Sequence, residues 1–172
     1  MIITWLGSLY LLLPVSVLLC LLLFWSGKSG QVMLISFSLF ITIVSVHAAK
    51  LMFRRPRPST TELLVAMPSD WSFPSAHTAQ AVSFFLSVTL VAFQLLSPVW
   101  ATFFALLGLL FVCIVGYSRI YLRVHYVSDV LAGMVLAALI VSAVRFIVPP
   151  IAWLWVNIIS ADNTLILFRK EY

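Results

Sequence analysis

Residues 32–57 read VMLISFSLFITIVSVHAAKLMFRRPR. From Val32 to Phe53 there is one charge, Lys50, and then Arg54, Arg55 and Arg57 follow almost at once. Crossing the hydrocarbon core of a bilayer takes about 20 apolar residues of α-helix. This stretch therefore reads as a membrane helix that ends in a basic cluster.

Working outward, the same alternation of apolar run and polar island recurs. Further helices are expected from about Trp5 to Trp25, and from Ser75 to about Leu96, where Ser97-Pro98 breaks the run. Two more are expected from Val99 to about Tyr117 and from about Tyr126 to Val148, the latter closed by Pro149-Pro150. Ile151–Ile159 is too short to span alone. Extended through Leu165–Phe168 it forms a tilted or broken sixth helix, although Asp162-Asn163 argues against a plain span. The expected fold is an all-α, polytopic transmembrane helix bundle of five to six membrane helices, one domain over residues 1–172. Short loops make sequential helices antiparallel neighbours.

Composition supports this reading. The chain is 63% hydrophobic and only 9% charged, with mean hydropathy +1.16. A soluble domain carries roughly 25% charged residues. The net charge of +5 does not imply nucleic acid, because the basic residues fall at the ends of apolar runs. Contact with anionic lipid or phosphate fits better. The first apolar run lacks the basic leader of a signal peptide and reads as a retained membrane helix. Cys20 and Cys113 lie inside apolar runs and read as small buried hydrophobes.

Charges in or beside a bilayer are costly and usually functional. Here they form three islands: Lys50 with Arg57-Pro58, then Pro74-Ser75-Ala76-His77, then Ser118-Arg119 with His125 and Asp129. With the helix count above, helices two and four end where three and five begin, so all three islands meet at one membrane face.

Each island has a plain structural reading and a chemical one. His125 and Asp129 are four apart and share a helical face. They are a helix-start Asp with a chance histidine, or a carboxylate that fixes an imidazole tautomer and frees the other nitrogen to attack. Arg119, just past the end of helix four, is an anchor or a bidentate phosphate ligand. Pro74-Ser75 opens helix three, whose N-terminus is an anion site, and His77 in its first turn is placed to protonate a leaving oxygen. Lys50 snorkels outward near the end of helix two, with Arg54, Arg55 and Arg57 beyond it. His47 reads as a packing residue near Lys50. The plain readings must all hold together to survive, yet the islands converge and supply a nucleophile, an acid and a phosphate clamp.

The ordered pattern Lys50-x6-Arg57-Pro58, Pro74-Ser75-Ala76-His77, Ser118-Arg119-x5-His125-x3-Asp129 resembles the three-part signature of the type 2 phosphatidic acid phosphatase family. The motifs cover roughly a seventh of the chain. One departure is Ala76, where the family usually has glycine. The resemblance implies a lipid phosphate phosphatase. In it His125 is the nucleophile that forms a phosphohistidine, Asp129 orients it, and His77 is the general acid. Lys50, Arg57, Ser75, the Ala76 backbone and Arg119 bind phosphate, and Arg54, Arg55 and Arg123 are secondary candidates for a multiply charged head group. No cofactor and no metal are expected.

The implied partners are the bilayer and a phosphorylated membrane lipid: lipid A 1-phosphate, undecaprenyl diphosphate, phosphatidylglycerol phosphate or phosphatidate. The same residues serve a lipid phosphotransferase, and a small anion transporter is a third reading that leaves the His125–Asp129 spacing unexplained. Oligomeric state is not readable. The expected location is a bacterial inner membrane, with the site on the outer, periplasmic side. That side follows if the site cations are phosphate ligands, which leaves Lys28, Arg145 and the tail to set topology. The loop 58–73, apolar at Leu63–Met67, reads as a surface loop or as a short interfacial helix over the site.

Overall fold

The structure, a computed structural model, describes the backbone of residues 7–58 and 67–168 and side chains as far as Val148. Its described residues form five helices: α1 (Leu9–Trp25), α2 (Ser29–Phe53), α3 (Ala76–Leu95), α4 (Pro98–Tyr121) and α5 (Val127–Phe168). Four segments are long and apolar enough to cross a membrane: α2, α3, α4 and residues Val127–Val148 of α5. The 17-residue α1 is a shorter apolar helix. The chain is an integral membrane protein of all-helical fold.

α3 is the central helix. It packs against α4, α5 and α2, while α4 and α5 barely touch. Small residues feature in its buried face: Ala79, Ala81 and Val82 lie against Val46 of α2, Val115 of α4 and Ala137 of α5, and Ser83 is fully buried. Small residues allow close backbone approach where lipid offers no hydrophobic drive for association. Gly133 of α5 is the tightest case for the site. A Cβ there would meet the Ser75 carbonyl oxygen at 2.8 Å. The Ser75 N–H also donates to the Asp129 carbonyl at 3.0 Å. Together these seat the start of α3 on the first turns of α5.

Several expected boundaries move. α2 begins at Ser29, not Val32, and α1 is described from Leu9 after Ser8, whose hydroxyl accepts from the Tyr10 N–H at 3.3 Å. α4 runs on to Tyr121, so Ser118 and Arg119 lie in its last turn, not beyond it. No breaker stands between Tyr117 and Tyr121, and the turn comes where Arg123 adopts φ +56°. The expected sixth helix is not separate. α5 continues through Pro149-Pro150, which remove two N–H donors without ending the helix. Membrane helices tolerate such prolines when the freed carbonyls find other partners. The tail cations Arg169 and Lys170 and the apolar loop stretch at Leu63–Ala66 lie outside the described residues.

Candidate active site

The site lies at the face where α2 and α4 end and α3 and α5 begin. α2 ends in a left-handed residue, Arg54 (φ +44°), whose N–H closes on the Lys50 carbonyl at 3.0 Å. Its side chain turns back to the Leu51 carbonyl at 3.0 Å. One turn earlier, Lys50 is 4% exposed inside the bundle. The chain then returns as the segment 67–75. It is pinned by a Ser72 N–H bond to the Arg55 carbonyl at 2.9 Å and by edge-on packing of Phe73 against Phe53.

Asp129 is fully buried and is met from three sides. Arg55 Nη1 donates to its Oδ1 at 2.8 Å, Ser72 Oγ donates to Oδ2, and the Tyr126 N–H reaches Oδ2 at 2.9 Å. Tyr126 directly precedes α5, so this last bond is a capping interaction from the third helical residue back to the entry. Arg55 is itself held by Ser128 Oγ at 2.7 Å and lies over the Tyr126 ring, 4.1 Å from its centroid.

His125 precedes α5, so it and Asp129 meet across a helix-entry turn and not along one helical face as the spacing suggested. Its Nδ1 stands 3.4 Å from Asp129 Oδ2, close enough for ion pairing but outside hydrogen-bond geometry. Such contacts commonly lengthen without substrate. Its Nε2 faces the opposite way, 3.3 Å from Arg57 Nη1. That geometry fits a neutral ring with its proton on the Asp129 side. Burial, followed by the positive fields of Arg57, Arg119 and Lys50, drives the imidazole pKa well below its ordinary value, against the pull of Asp129.

Arg57 is aimed by main-chain carbonyls: Nε donates to Asp70 O at 2.9 Å and Nη1 to Val124 O at 2.8 Å. Its Nη2 pairs with Asp70 Oδ1 at 2.5 Å, while Lys50 Nζ pairs with Asp70 Oδ2 at 2.9 Å and also donates to the Trp71 carbonyl. Burial raises the Asp70 pKa, but bonds and charges from Lys50 and Arg57 outweigh it and hold the carboxyl below the ordinary range. Arg119 is buried at 6% exposure on α4 and acts on His125 and His77 through its charge.

His77 lies in the first turn of α3, partly buried, within the fields of Arg119, Asp70, Arg57 and Lys50. Ser75 does not cap α3 with its side chain; its hydroxyl bonds Thr78 Oγ1 at 3.1 Å. Ala76 starts the helix without a positive φ, so the backbone conformation here does not demand glycine.

The fold thus brings Lys50, Arg57, Ser75, Ala76, His77, Arg119, His125 and Asp129 to one face. Three secondary candidates fare differently. Arg55 grips Asp129, while Arg54 and Arg123 are exposed at the two left-handed turns. His47 is also exposed on α2, where its Nδ1 bonds back to the Ile43 carbonyl at 2.8 Å. Asp70 and Ser72 escaped the sequence reading. Their one signal was an acid and a hydroxyl in the polar loop just before Pro74. Among the described residues, no group of three or more His, Cys, Asp or Glu side chains forms a metal-binding set.

The sequence model of the PAP2 superfamily matches residues 31–153, which contain all of these groups. The chain belongs to the PAP2 superfamily. Among PAP2-like relatives, an undecaprenyl-diphosphatase from Sulfolobus acidocaldarius is 35% identical over 136 residues, 77% of this chain and 61% of that protein. The chain therefore spans about three fifths of that relative's length. A phosphatidylglycerophosphatase B from Bacillus subtilis is 33% identical over 83% of this chain and 70% of that one. A crystal structure of a transmembrane PAP2-type phosphatidylglycerolphosphate phosphatase from Bacillus subtilis superposes with TM-score 0.77 at 28% identity, covering 84% of this chain and 72% of that one. LpxE of Aquifex aeolicus superposes with TM-score 0.64 at 26% identity, covering 83% and 80%.

Proposed function

We propose that this PAP2 protein is an integral membrane phosphatase that removes the terminal phosphate of a lipid phosphate or diphosphate. One observation carries the reading. A buried imidazole is backed by a sealed carboxylate, and its other nitrogen faces a cation cluster at the membrane face.

In the proposed reaction, Lys50, Arg57, Arg119 and the N-terminus of α3 at Ser75-Ala76 hold the phosphoryl oxygens. Phosphoryl transfer is mostly positioning and charge stabilisation, which cations and helix N–H groups supply. His125 Nε2 attacks phosphorus as the bond to the leaving oxygen breaks, and His77 gives that oxygen a proton. Asp129 stabilises the ring that has lost its lone pair to phosphorus. Water, deprotonated by His77, then attacks the phosphohistidine and releases orthophosphate and neutral His125.

The names of the relatives make undecaprenyl diphosphate and phosphatidylglycerol phosphate the first substrates to test, with phosphatidate and lipid A 1-phosphate beside them. The proposed location is a bacterial-type cytoplasmic membrane with the site on its outer side. Lys50, Arg55 and Arg57 are engaged within the site, and the outward placement counts the exposed Arg54 and Arg123 as head-group cations, so that Lys28 and Arg145 on the opposite side set the topology. A Ser69→Cys protein in intact cells should react with a membrane-impermeant maleimide. Labelling only after lysis would invert the orientation.

Phosphate release from the lipid panel in detergent, with and without EDTA, tests the activity and its proposed independence of metal. Acid-quenched protein should carry an acid-labile phosphate that His125→Ala lacks. Full activity in His125→Ala would sink the mechanism, and loss of activity in EDTA would sink the metal-free chemistry.

A further inference from the structure

The cation pair formed by Lys50 and Arg57 already holds an anion, and that anion is part of the chain. Asp70 presents one carboxylate oxygen to each cation, at 2.9 Å and 2.5 Å. The cations are 5% and 8% exposed at their side chains, while the carboxylate is 51% exposed. It enters from the solvent side, as an incoming phosphate must.

The cations do not depend on that carboxylate for their aim. Arg57 keeps the carbonyls of Asp70 and Val124, and Lys50 keeps the carbonyl of Trp71. Rotation of one half-exposed side chain would therefore open the pair and leave both cations in place.

We propose that Asp70 is a specificity-determining residue, an internal anion that yields Lys50 and Arg57 to a doubly charged terminal phosphate and withholds them from singly charged phosphodiesters. The proposal rests on the phosphatase reading above. The physical ground is charge exchange. A phosphodiester brings one negative charge and replaces one, so the buried cations gain nothing. A terminal phosphate carries about −1.5 to −2 at neutral pH, with three acceptor oxygens. It offers the clamp more charge and more bonds than the carboxylate it displaces. The need is plain at a membrane face, where phosphodiester head groups vastly outnumber any substrate. Selectivity of this kind comes from an element that opposes the wrong ligand.

The test measures anion binding apart from turnover. Orthophosphate and dimethyl phosphate are titrated calorimetrically into the detergent-solubilised wild type, Asp70→Asn and Asp70→Ala. Hydrolysis is then followed in mixed micelles as the mole fraction of phosphatidylglycerol rises. The wild type should bind orthophosphate, ignore dimethyl phosphate and tolerate phosphatidylglycerol. Both variants should bind orthophosphate about tenfold tighter, since the internal competitor is gone. They should also gain binding of dimethyl phosphate and inhibition by phosphatidylglycerol, and Asp70→Glu should restore part of the discrimination. Losing kcat with both anion affinities unchanged would overturn the proposal, as would wild-type binding of dimethyl phosphate as tight as that of orthophosphate. If the wild type binds orthophosphate selectively but hydrolyses no lipid, the phosphatase reading fails while the selectivity of the clamp stands.

Discussion

Two carboxylates share one nest of cations and live in opposite circumstances. Asp129 is fully buried, bonded by Arg55, Ser72 and the Tyr126 N–H. Asp70 is half exposed, sits on a returning loop and bonds only to side chains that a phosphate would also use. A buried charge needs several fixed donors to be tolerated, and Asp129 has them. It can shift only if α5, the loop and Arg55 shift together. Asp70 can leave by rotating. The contrast suggests a division of labour: the immovable carboxylate serves the nucleophile, and the movable one serves selection.

The hardest blow to that division is Asp129→Asn. The amide keeps the volume but loses the charge proposed to orient His125, and loss of the equivalent charge behind a catalytic histidine costs about 10⁴-fold in kcat in a well-studied triad. A fall in kcat of about 10³-fold or more is expected, with orthophosphate affinity nearly unchanged. Substitution of Asp70 acts on affinity instead. If Asp129→Asn kept more than a tenth of wild-type turnover, the sealed carboxylate would not be what aims the nucleophile.

The next effect is smaller and reports through pH. Arg57→Ala removes one of the proposed phosphate-binding donors, worth about 10²-fold in kcat/KM by analogy with single oxyanion donors. It also removes the positive charge that most strongly lowers the pKa of His125, after burial. The sign follows directly. In the proposed mechanism neutral His125 is the attacking form, and its lowered pKa keeps it neutral as pH falls through the ordinary imidazole range near 6.5. The acid limb of kcat/KM should therefore lie below that range in the wild type. In Arg57→Ala it should move to higher pH. A limb that does not move would mean that Arg57 does not act on His125 through charge.

Much of this was legible because a membrane chain leaves its polar residues nowhere ordinary to go. Lys50, Arg57, His77, Arg119, His125 and Asp129 stood out against apolar runs, and counting helices put them at one face. The parts that stayed hidden follow from the same physics. Helix ends such as Tyr121 are set by local turns, which a uniformly apolar pattern does not mark. The continuation of α5 past Pro149-Pro150 depends on surroundings that the prolines do not reveal. Asp70 and Ser72 belong to no short spacing: Ser72 reaches Asp129 across 57 positions. The spacing that set Arg57 apart from Arg55 did not show that Arg55 faces the Asp129 carboxylate while Arg57 faces His125.

The smallest effects probe how redundant the seal around Asp129 is. Arg55 touches Asp129, Ser128 and the Tyr126 ring. Arg55→Ala leaves Asp129 with Ser72 and the Tyr126 N–H, so the carboxylate stays bonded but loses its neutralising partner. Outer partners of this kind typically matter by ten- to a hundredfold in other buried sites, and about tenfold in kcat is expected here. Arg55→Lys should recover little, because an ammonium lacks the planar fork that reaches Asp129 and Ser128 and stacks on Tyr126. Ser128→Ala removes only one anchor of that fork and should change kcat by no more than about fivefold, the usual scale for losing one hydrogen bond outside the core being near 1 kcal/mol or less. If Arg55→Ala instead weakened binding of a lipid diphosphate and spared that of a monophosphate, Arg55 would be a head-group cation, as the sequence first suggested. The seal on Asp129 would then be the work of Ser72 and the helix entry alone.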